Sequence, residues 1–302
     1  MTAAQARSPA ASFGGLRVLS LESRRGPEMA RLIEAYGGRA VVAPSMREVP
    51  REANTAALQF ARTLAAGGYD AVIFLTGVGT RALVRAVEPV CSREEFAAAL
   101  RRATIVARGP KPVSALKELG VPIAVLAPPP NTWRELLAAL DERRQEFPLA
   151  GRRVAVQEYG VPNPELLAAL EARGAQVTRV PVYEWALPED TGPLRAAAQG
   201  LARGEFHVVL FTTSVQLTHL MEIAQELGLG EDLRRALQTS VVVGSIGPTT
   251  TEGLAAHGLS ADFEASQPRM GILVTDAAQH SAALLRKKRQ GNPTIAAPAA
   301  AQ

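Results

Sequence analysis

The chain has 302 residues, 47% of them hydrophobic, which is enough for two packed domains and too apolar for a disordered protein. Its 33 basic and 29 acidic residues give a formal net charge of +4, and the cluster Arg286, Lys287, Lys288 and Arg289 holds that whole excess, so the body lacks the basic face that nucleic-acid binding requires. A single cysteine, Cys91, excludes an intrachain disulfide and points to a reducing, cytoplasmic setting; no run approaches a membrane span, and the first residues lack the apolar core of an export signal.

In chain order, residues 1–14 read as a disordered leader. Short β-branched runs at 18–21, 71–75, 104–107, 154–157, 208–212 and 240–243 read as strands. They alternate with helical patterns at 53–66, 111–119, 132–144, 164–173, 194–203, 215–227 and 249–257, several of which stop at a glycine suited to a left-handed cap. Such alternation predicts an α/β protein with parallel sheets covered on both faces by helices. The Pro-punctuated stretches 43–51 and 180–190 break the pattern and read as two extended strands crossing between lobes as a hinge. They divide the chain into a discontinuous lobe of 15–46 plus 187–280 and a second lobe of 47–186, with a cleft between them suited to a small molecule. Residues 281–302, rich in Pro, Ala and Gln around the RKKR cluster, read as a solvated, disordered tail.

Three loop-bearing segments recur in the same order, 136 to 138 residues apart. The segment from Gly15 matches that from Gly151, with Glu22 against Glu158; YDAVIFLTGVGTRAL from Tyr69 matches FHVVLFTTSVQLTHL from Phe206; and IVARGPKPVSALKELG matches VVGSIGPTTTEGLAAHG, with Gly109 against Gly247. The protein therefore reads as one β-loop-α design written twice.

In open parallel sheets, ligands sit beyond the carboxyl ends of the strands. The loops there are 22–27, 76–80, 108–112, 128–132, 158–163, 212–216, 245–251 and 266–270, nearly all rich in Gly, Ser, Thr or Pro. Small residues let backbone N–H groups approach a ligand, and helix starts favour anions, so a substrate with several carboxylates or phosphates is expected. The same residues also make turns and caps. Gly77-Val-Gly79-Thr-Arg-Ala82 resembles a dinucleotide turn, but the acidic residue wanted on the next strand is missing, because Glu94 and Glu95 fall in a helical stretch. His207, His219, His257 and His280 are scattered without ligand spacing; no metal site is expected, and His219 and His257 read as surface or cap residues within helices. No P-loop or serine elbow occurs, so the chemistry must need few catalytic side chains.

FLTGVGTRAL in the first half, with LFTTSVQLTHL, VVGSIGPTTTEGLAAHG and ASQPRMGIL in the second, resembles uroporphyrinogen-III synthase over 15–278 in order and spacing. IGPTT at 246–250, followed by a helix and a glycine, is the most specific segment. The resemblance implies two flavodoxin-like lobes joined by a two-stranded β-ladder, and as substrate hydroxymethylbilane, a linear tetrapyrrole with eight carboxylates. It implies a cofactor-free, cyclising hydro-lyase reaction: the terminal hydroxyl leaves as water, a spiro intermediate forms at the last pyrrole, and the ring closes with that pyrrole inverted. PVYEW looks like the inter-lobe strand that carries the family's implicated tyrosine, which makes Tyr183 the candidate proton donor, since a phenol with a pKa of about 10 keeps its proton at neutral pH. Tyr159, after a strand end, is its rival. Thr249 and Thr250, with Gly247, would present donors to carboxylates, as would Thr213 and Ser214 opposite Thr76 and Gly77, and Asn131 and Thr132 lie in a further loop of the same face. Many members carry a G-N-A-T-like loop where this chain has Arg108-Gly-Pro-Lys111-Pro; the two cations either pair with substrate carboxylates or are solvated. A transient hand-over from the upstream bilane-forming enzyme is the one protein partner implied. The competing class is a non-enzymatic, two-lobed binding or effector-sensing protein for a small anion.

Overall fold

The computed structural model describes residues 11–50, 54–158, 160 and 162–290. Among them the chain runs through one series of six strands and six helices twice. The first pass is β1 (Arg17–Ser20), α1 (Gly26–Ala35), β2 (Arg39–Val42), β3 (Arg47–Pro50), α2 (Thr55–Ala65), β4 (Ala71–Phe74), α3 (Gly77–Val87), α4 (Arg93–Leu100), β5 (Thr104–Ala107), α5 (Pro110–Glu118), β6 (Val125–Leu126) and α6 (Trp133–Glu142). The second is β7 (Arg153–Gln157), α7 (Pro164–Ala172), β8 (Gln176–Val180), β9 (Tyr183–Ala186), α8 (Gly192–Ala202), β10 (Val208–Phe211), α9 (Ser214–Glu226), α10 (Gly230–Thr239), β11 (Val242–Ser245), α11 (Pro248–Ala256), β12 (Phe263–Glu264) and α12 (Met270–Gln290).

Two compact units share these elements unevenly. A discontinuous unit takes the chain up to Arg47 and from Leu187 onward, and a central unit takes Glu48–Ala186. The discontinuous unit holds a five-stranded parallel sheet in the order β12-β11-β10-β1-β2, with Val18 aligned between Val208 and Ala40. The central unit holds β6-β5-β4-β7-β8, also parallel, with Ala71 aligned between Thr104 and Val154. Each sheet thus has the flavodoxin-like order, built from two strands of one repeat and three of the other, and strand order reverses between β1 and β10 or between β7 and β4. Strands β3 and β9 pair separately as a two-stranded sheet.

The central strands are apolar throughout because helices cover both faces. In β4, Val72 and Phe74 point into a cluster with Phe60, Leu83 and Phe96, while Ala71 and Ile73 point into another with Leu136, Leu140, Leu166 and Leu170. In β10, Val209 and Phe211 pack against Leu217 and Leu220, and Val208 and Leu210 against Leu273 and Val274. Each such Val, Leu, Ile or Phe side chain, fully buried, contributes about 1.5–3 kcal/mol.

Both expected disordered ends need correction. Phe13 is buried beside Ile33 and Ala278, and its amide donates to the Tyr36 carbonyl, so the leader is folded from that ring onward; residues 1–10 lie outside the described residues. Helix α12 runs through the basic cluster to Gln290 and buries Leu273, Val274, Ala277, Ala278, Ser281 and Leu285 along one stripe. Lys288 lies on that stripe. Its Nζ donates to the carbonyls of Leu237 and Val241, both at 2.7 Å, and to Asp262 at 2.6 Å. Residues 281–290 are therefore a packed helix end rather than a solvated tail, and 291–302 lie outside the described residues.

Candidate functional site

In the central unit, the loops after β4, β5, β6 and β7 meet at the carboxyl edge of the sheet. Thr76 caps α3, its Oγ1 accepting from the Gly79 amide at 3.0 Å, and its own amide donates to Gln157 Oε1 at 3.4 Å. Gly77 opens the helix where only glycine fits, since an added Cβ would lie 2.4 Å from the Lys111 carbonyl oxygen. The first turns of α3 and α5 therefore touch backbone to backbone, which brings Lys111 beside Thr76 and Gly77. The Arg108 amide donates to the Phe74 carbonyl at 3.0 Å, and Gly109 packs beneath Asn131, which holds a left-handed φ of 63° and donates from Nδ2 to the Ala127 carbonyl. Thr132 is buried, and its hydroxyl and amide are engaged with Glu135 in the capping box of α6.

Two tyrosines compete as proton donor in the sequence. Tyr183 begins β9 and is 5% exposed, its ring edge-on to Trp185 with centroids 5.3 Å apart. Gly160, at φ 89°, lies against both rings, for a Cβ there would stand 2.5 Å from Trp185 Cδ1 and 2.9 Å from Tyr183 Cε2. Tyr183 is thus packed against the loop that follows β7. Tyr159 lies outside the described residues. In the same loop, Glu158 is buried and receives both Nε and an Nη of Arg179, at 2.6 and 3.1 Å, an ion pair that raises the guanidinium pKa further.

The discontinuous unit repeats the arrangement with other residues. Glu22, after β1, accepts from the amides of Arg24 and Arg25 through Oε1 and from the Thr212 hydroxyl through Oε2 at 2.7 Å. Thr213 caps α9 in extended conformation without a side-chain capping bond, and Ser214 opens the helix against Gly253, where an added Cβ would lie 2.2 Å from Ser214 Cβ. Gly247 and Pro248 start α11; the Ser245 hydroxyl donates to the Gly247 carbonyl at 3.0 Å and accepts from Thr251 at 2.9 Å. Thr249 is half-buried on the first turn, and Thr250 is buried.

Two polar residues of α9 escaped the sequence reading. Gln216 is buried and brackets Thr212, and His219, expected as a surface or cap residue, is 7% exposed, with Nδ1 2.7 Å from the Ser45 carbonyl. Both lie on a helix buried nearly all round, which their apolar neighbours Val215, Leu217, Leu220 and Ile223 could have signalled. His257 does conform, half-exposed beside Thr218, with its pKa lowered by burial and by Arg234.

Among the described residues no group of three His, Cys, Asp or Glu side chains could hold a metal ion, and no helix is long and apolar enough to cross a membrane. In each unit the loops offer backbone N–H groups at helix starts, hydroxyls and cations, Arg108 and Lys111 in the central unit and Arg24 and Arg25 in the other, a chemistry that suits a polyanion.

Comparison with known proteins bears on what that site serves. The profile of the uroporphyrinogen-III synthase HemD family matches residues 27–275. A Methanothermobacter thermautotrophicus protein named as a putative uroporphyrinogen-III synthase is 34% identical over 240 residues, covering 78% of this chain and 87% of that relative. The Bacillus subtilis protein YjjA is 30% identical over 266 residues, 88% of this chain and 96% of its own length. Among solved structures, a mutant uroporphyrinogen III synthase of Thermus thermophilus is similar at 27% identity and a TM-score of 0.69, over 90% of this chain and all of that one. The Helicobacter pylori enzyme, at 14% identity and a TM-score of 0.50, over 87% of this chain and 98% of that one, shares the fold. The chain belongs to the uroporphyrinogen-III synthase family, whose members are cyclising lyases acting on a small tetrapyrrole.

Proposed function

We propose that this chain converts hydroxymethylbilane to uroporphyrinogen III as a cytoplasmic hydro-lyase of tetrapyrrole biosynthesis. The observation that carries the reading is the family match over residues 27–275, which takes in the loops at the carboxyl ends of both sheets except the one after β1.

Departure of the hydroxyl needs one proton, and the pyrrole nitrogen supplies the electron pair that stabilises the resulting cation. Tyr183 donates that proton, and water leaves. The cation is attacked by the substituted carbon of the last pyrrole, giving the spiro intermediate. The bond from that carbon to the neighbouring bridge then breaks and re-forms at the free position of the same ring. Loss of the proton there restores aromaticity and returns a proton to the site. Nothing in this sequence demands strong acid–base groups; holding the bilane folded and one pyrrole face presented accounts for the selectivity. Tyr183, almost fully buried and braced by Trp185 and Gly160, is a donor with little rotational freedom.

The substrate carboxylates fall to Thr76, Gly77, Arg108, Lys111 and Asn131 in the central unit, and to Thr213, Ser214, Gly247, Thr249 and Thr250 in the other. Arg108 and Lys111 add charge to otherwise neutral donors, which strengthens each hydrogen bond about twofold. The bilane is handed over from the enzyme that forms it.

The test supplies freshly made hydroxymethylbilane to the purified protein, oxidises the products and separates the uroporphyrin isomers. Type III in excess supports the reading; type I alone, from folded protein, defeats it.

A further inference from the structure

Each unit buries one glutamine amide at the point where strand order reverses, and the two amides come from opposite sides of that point. In the central unit Gln157 ends β7; its Oε1 accepts from the Thr76 amide at 3.4 Å and its Nε2 donates to the Glu158 carbonyl. In the discontinuous unit Gln216 sits in the first turn of α9; its Oε1 accepts from the Thr212 amide at 2.8 Å and its Nε2 donates to Thr212 Oγ1 at 2.9 Å. Both side chains are sealed from solvent. Under the internal repeat, Gln216 corresponds to Gly79, and Gln157 corresponds to Leu21.

The exchange follows from space. A Cβ at Gly79 would lie 2.0 Å from Gln157 Nε2 and 2.6 Å from its Cδ, so the amide of residue 157 fills the room a residue-79 side chain would take. In the other unit the fully buried Leu21 brings no polar atom, and the amide arrives from α9 instead. A glycine facing a glutamine in one unit is matched by a glutamine facing a leucine in the other.

We propose that Gln157 and Gln216 are positioning residues for the substrate loops, and that residues 79 and 157 are interchangeable suppliers of the amide. The proposal deepens the assignment of these loops to the bilane and rests on it. A backbone N–H just past the end of a buried strand is desolvated and has left the ladder that paired its predecessors. The glutamine carbonyl accepts from it, while the glutamine NH2 finds its own acceptor. From Gln216 the chain of bonds continues through Thr212 Oγ1 to Glu22, and from Glu22 to the amides of Arg24 and Arg25, so one amide fixes both loops flanking the reversal point. Gln157 likewise fixes Thr76, the cap of the helix whose first turn abuts Lys111.

The test compares Gln157→Leu, Gly79→Gln and the double variant in the full chain, by KM and kcat for hydroxymethylbilane, thermal melting, and amide exchange across residues 75–77. Each single variant raises KM about tenfold with kcat within about twofold, Gln157→Leu because a donor is left without its acceptor and Gly79→Gln because two amides crowd the room of one and displace the loop. Exchange across 75–77 speeds up in both. The double variant, carrying the Leu/Gln pair already tolerated as Leu21 and Gln216, returns KM to within about threefold of the parent. If the single variants lower the melting temperature but leave KM and exchange alone, the amide is structural only and the proposal falls. A double variant no better than Gln157→Leu refutes interchangeability, whether or not Gly79→Gln folds. Should the parent make no type III isomer, the functional reading fails, and amide exchange, which needs no substrate, still decides whether the glutamine holds the loop.

Discussion

Replacing Lys288 by Met should destabilise the discontinuous unit by about 3 kcal/mol. The ammonium is half sunk between α10, β11 and β12, where burial pushes its pKa below the ordinary lysine range against the pull of Asp262. Its three acceptors lie at 2.6 to 2.7 Å, and the Lys288 and Asp262 side chains are 14% and 17% exposed. Breaking a buried pair by removing one partner costs about 3–5 kcal/mol, since the other charge stays buried. The lower end applies here, because Asp262 keeps the Val243 amide at 2.7 Å and the methionine still covers the stripe of α12. For a unit of this size, each kcal/mol shifts the melting temperature by about 2–4 °C, so the expected fall is about 6–12 °C. Differential scanning fluorimetry with Lys287→Met as control provides the measurement, because Lys287 is exposed one position away and removes the same charge. Two units need not melt together, and only the transition of the discontinuous unit should move. If Lys288→Met melts within about 1 °C of Lys287→Met, the lysine is solvated and its packing role is wrong.

Tyr183→Phe should lower kcat about 100-fold with KM nearly kept, as loss of a general acid does, and unchanged kcat in a steady-state bilane assay would exclude the donor role. Gly160→Ala forces an L side chain to φ 89° and drives a methyl into Trp185 and Tyr183; a cost of about 2–4 kcal/mol is expected, with kcat falling too, as read by thermal melting and turnover. Asp141 accepts two bonds from Arg173, at 2.8 and 2.7 Å, which hold its carboxyl below the usual range. Its folded pKa is depressed, so the stability it contributes is full above the unfolded value of about 3.9 and drains away as pH falls through the lower folded value. Melting temperatures between pH 2 and 6 should therefore fall less steeply in Asp141→Asn, and parallel curves would contradict the assignment.

Strands β4 and β10 and the loops after them were legible because burial on both faces leaves an uninterrupted apolar run, and because the repeat shows each loop twice. Helix α12 was not, although its signal was present: the apolar positions 273, 274, 277, 278 and 285, with the small Ser281 between them, continue at helical spacing into the basic cluster, and Lys288 falls three residues beyond Leu285 on the same face. Composition, dominated by RKKR and the following Pro and Ala, outweighed that periodicity. Phe13 was lost in the same way, one aromatic in an Ala, Ser and Gly setting whose partners Ile33 and Ala278 lie 20 and 265 residues further along the chain. At the site, capping threonines announced themselves by residue type and position, but the amides of Gln157 and Gln216 did not. A glutamine ending a strand or opening a helix carries no local pattern: the role of Gln157 is set by Thr76 after the neighbouring strand, and that of Gln216 by Thr212 in the loop four residues before it. Tyr183 is singled out as a candidate only through resemblance, since nothing in the spacing of PVYEW marks one ring as reactive.

The inversion of one pyrrole is the central claim, and bond connectivity tests it most directly. Hydroxymethylbilane labelled with carbon-13 at both the last bridging methylene and the pyrrole carbon attached to it shows a one-bond coupling between them. Incubated with the purified chain and followed by carbon NMR, the cyclised product should lose that coupling, because the labelled bond breaks in the spiro intermediate and the bridge re-forms at the other side of the ring. Coupling retained in all of the product would mean closure without inversion, and would contradict the assignment of this chain's chemistry.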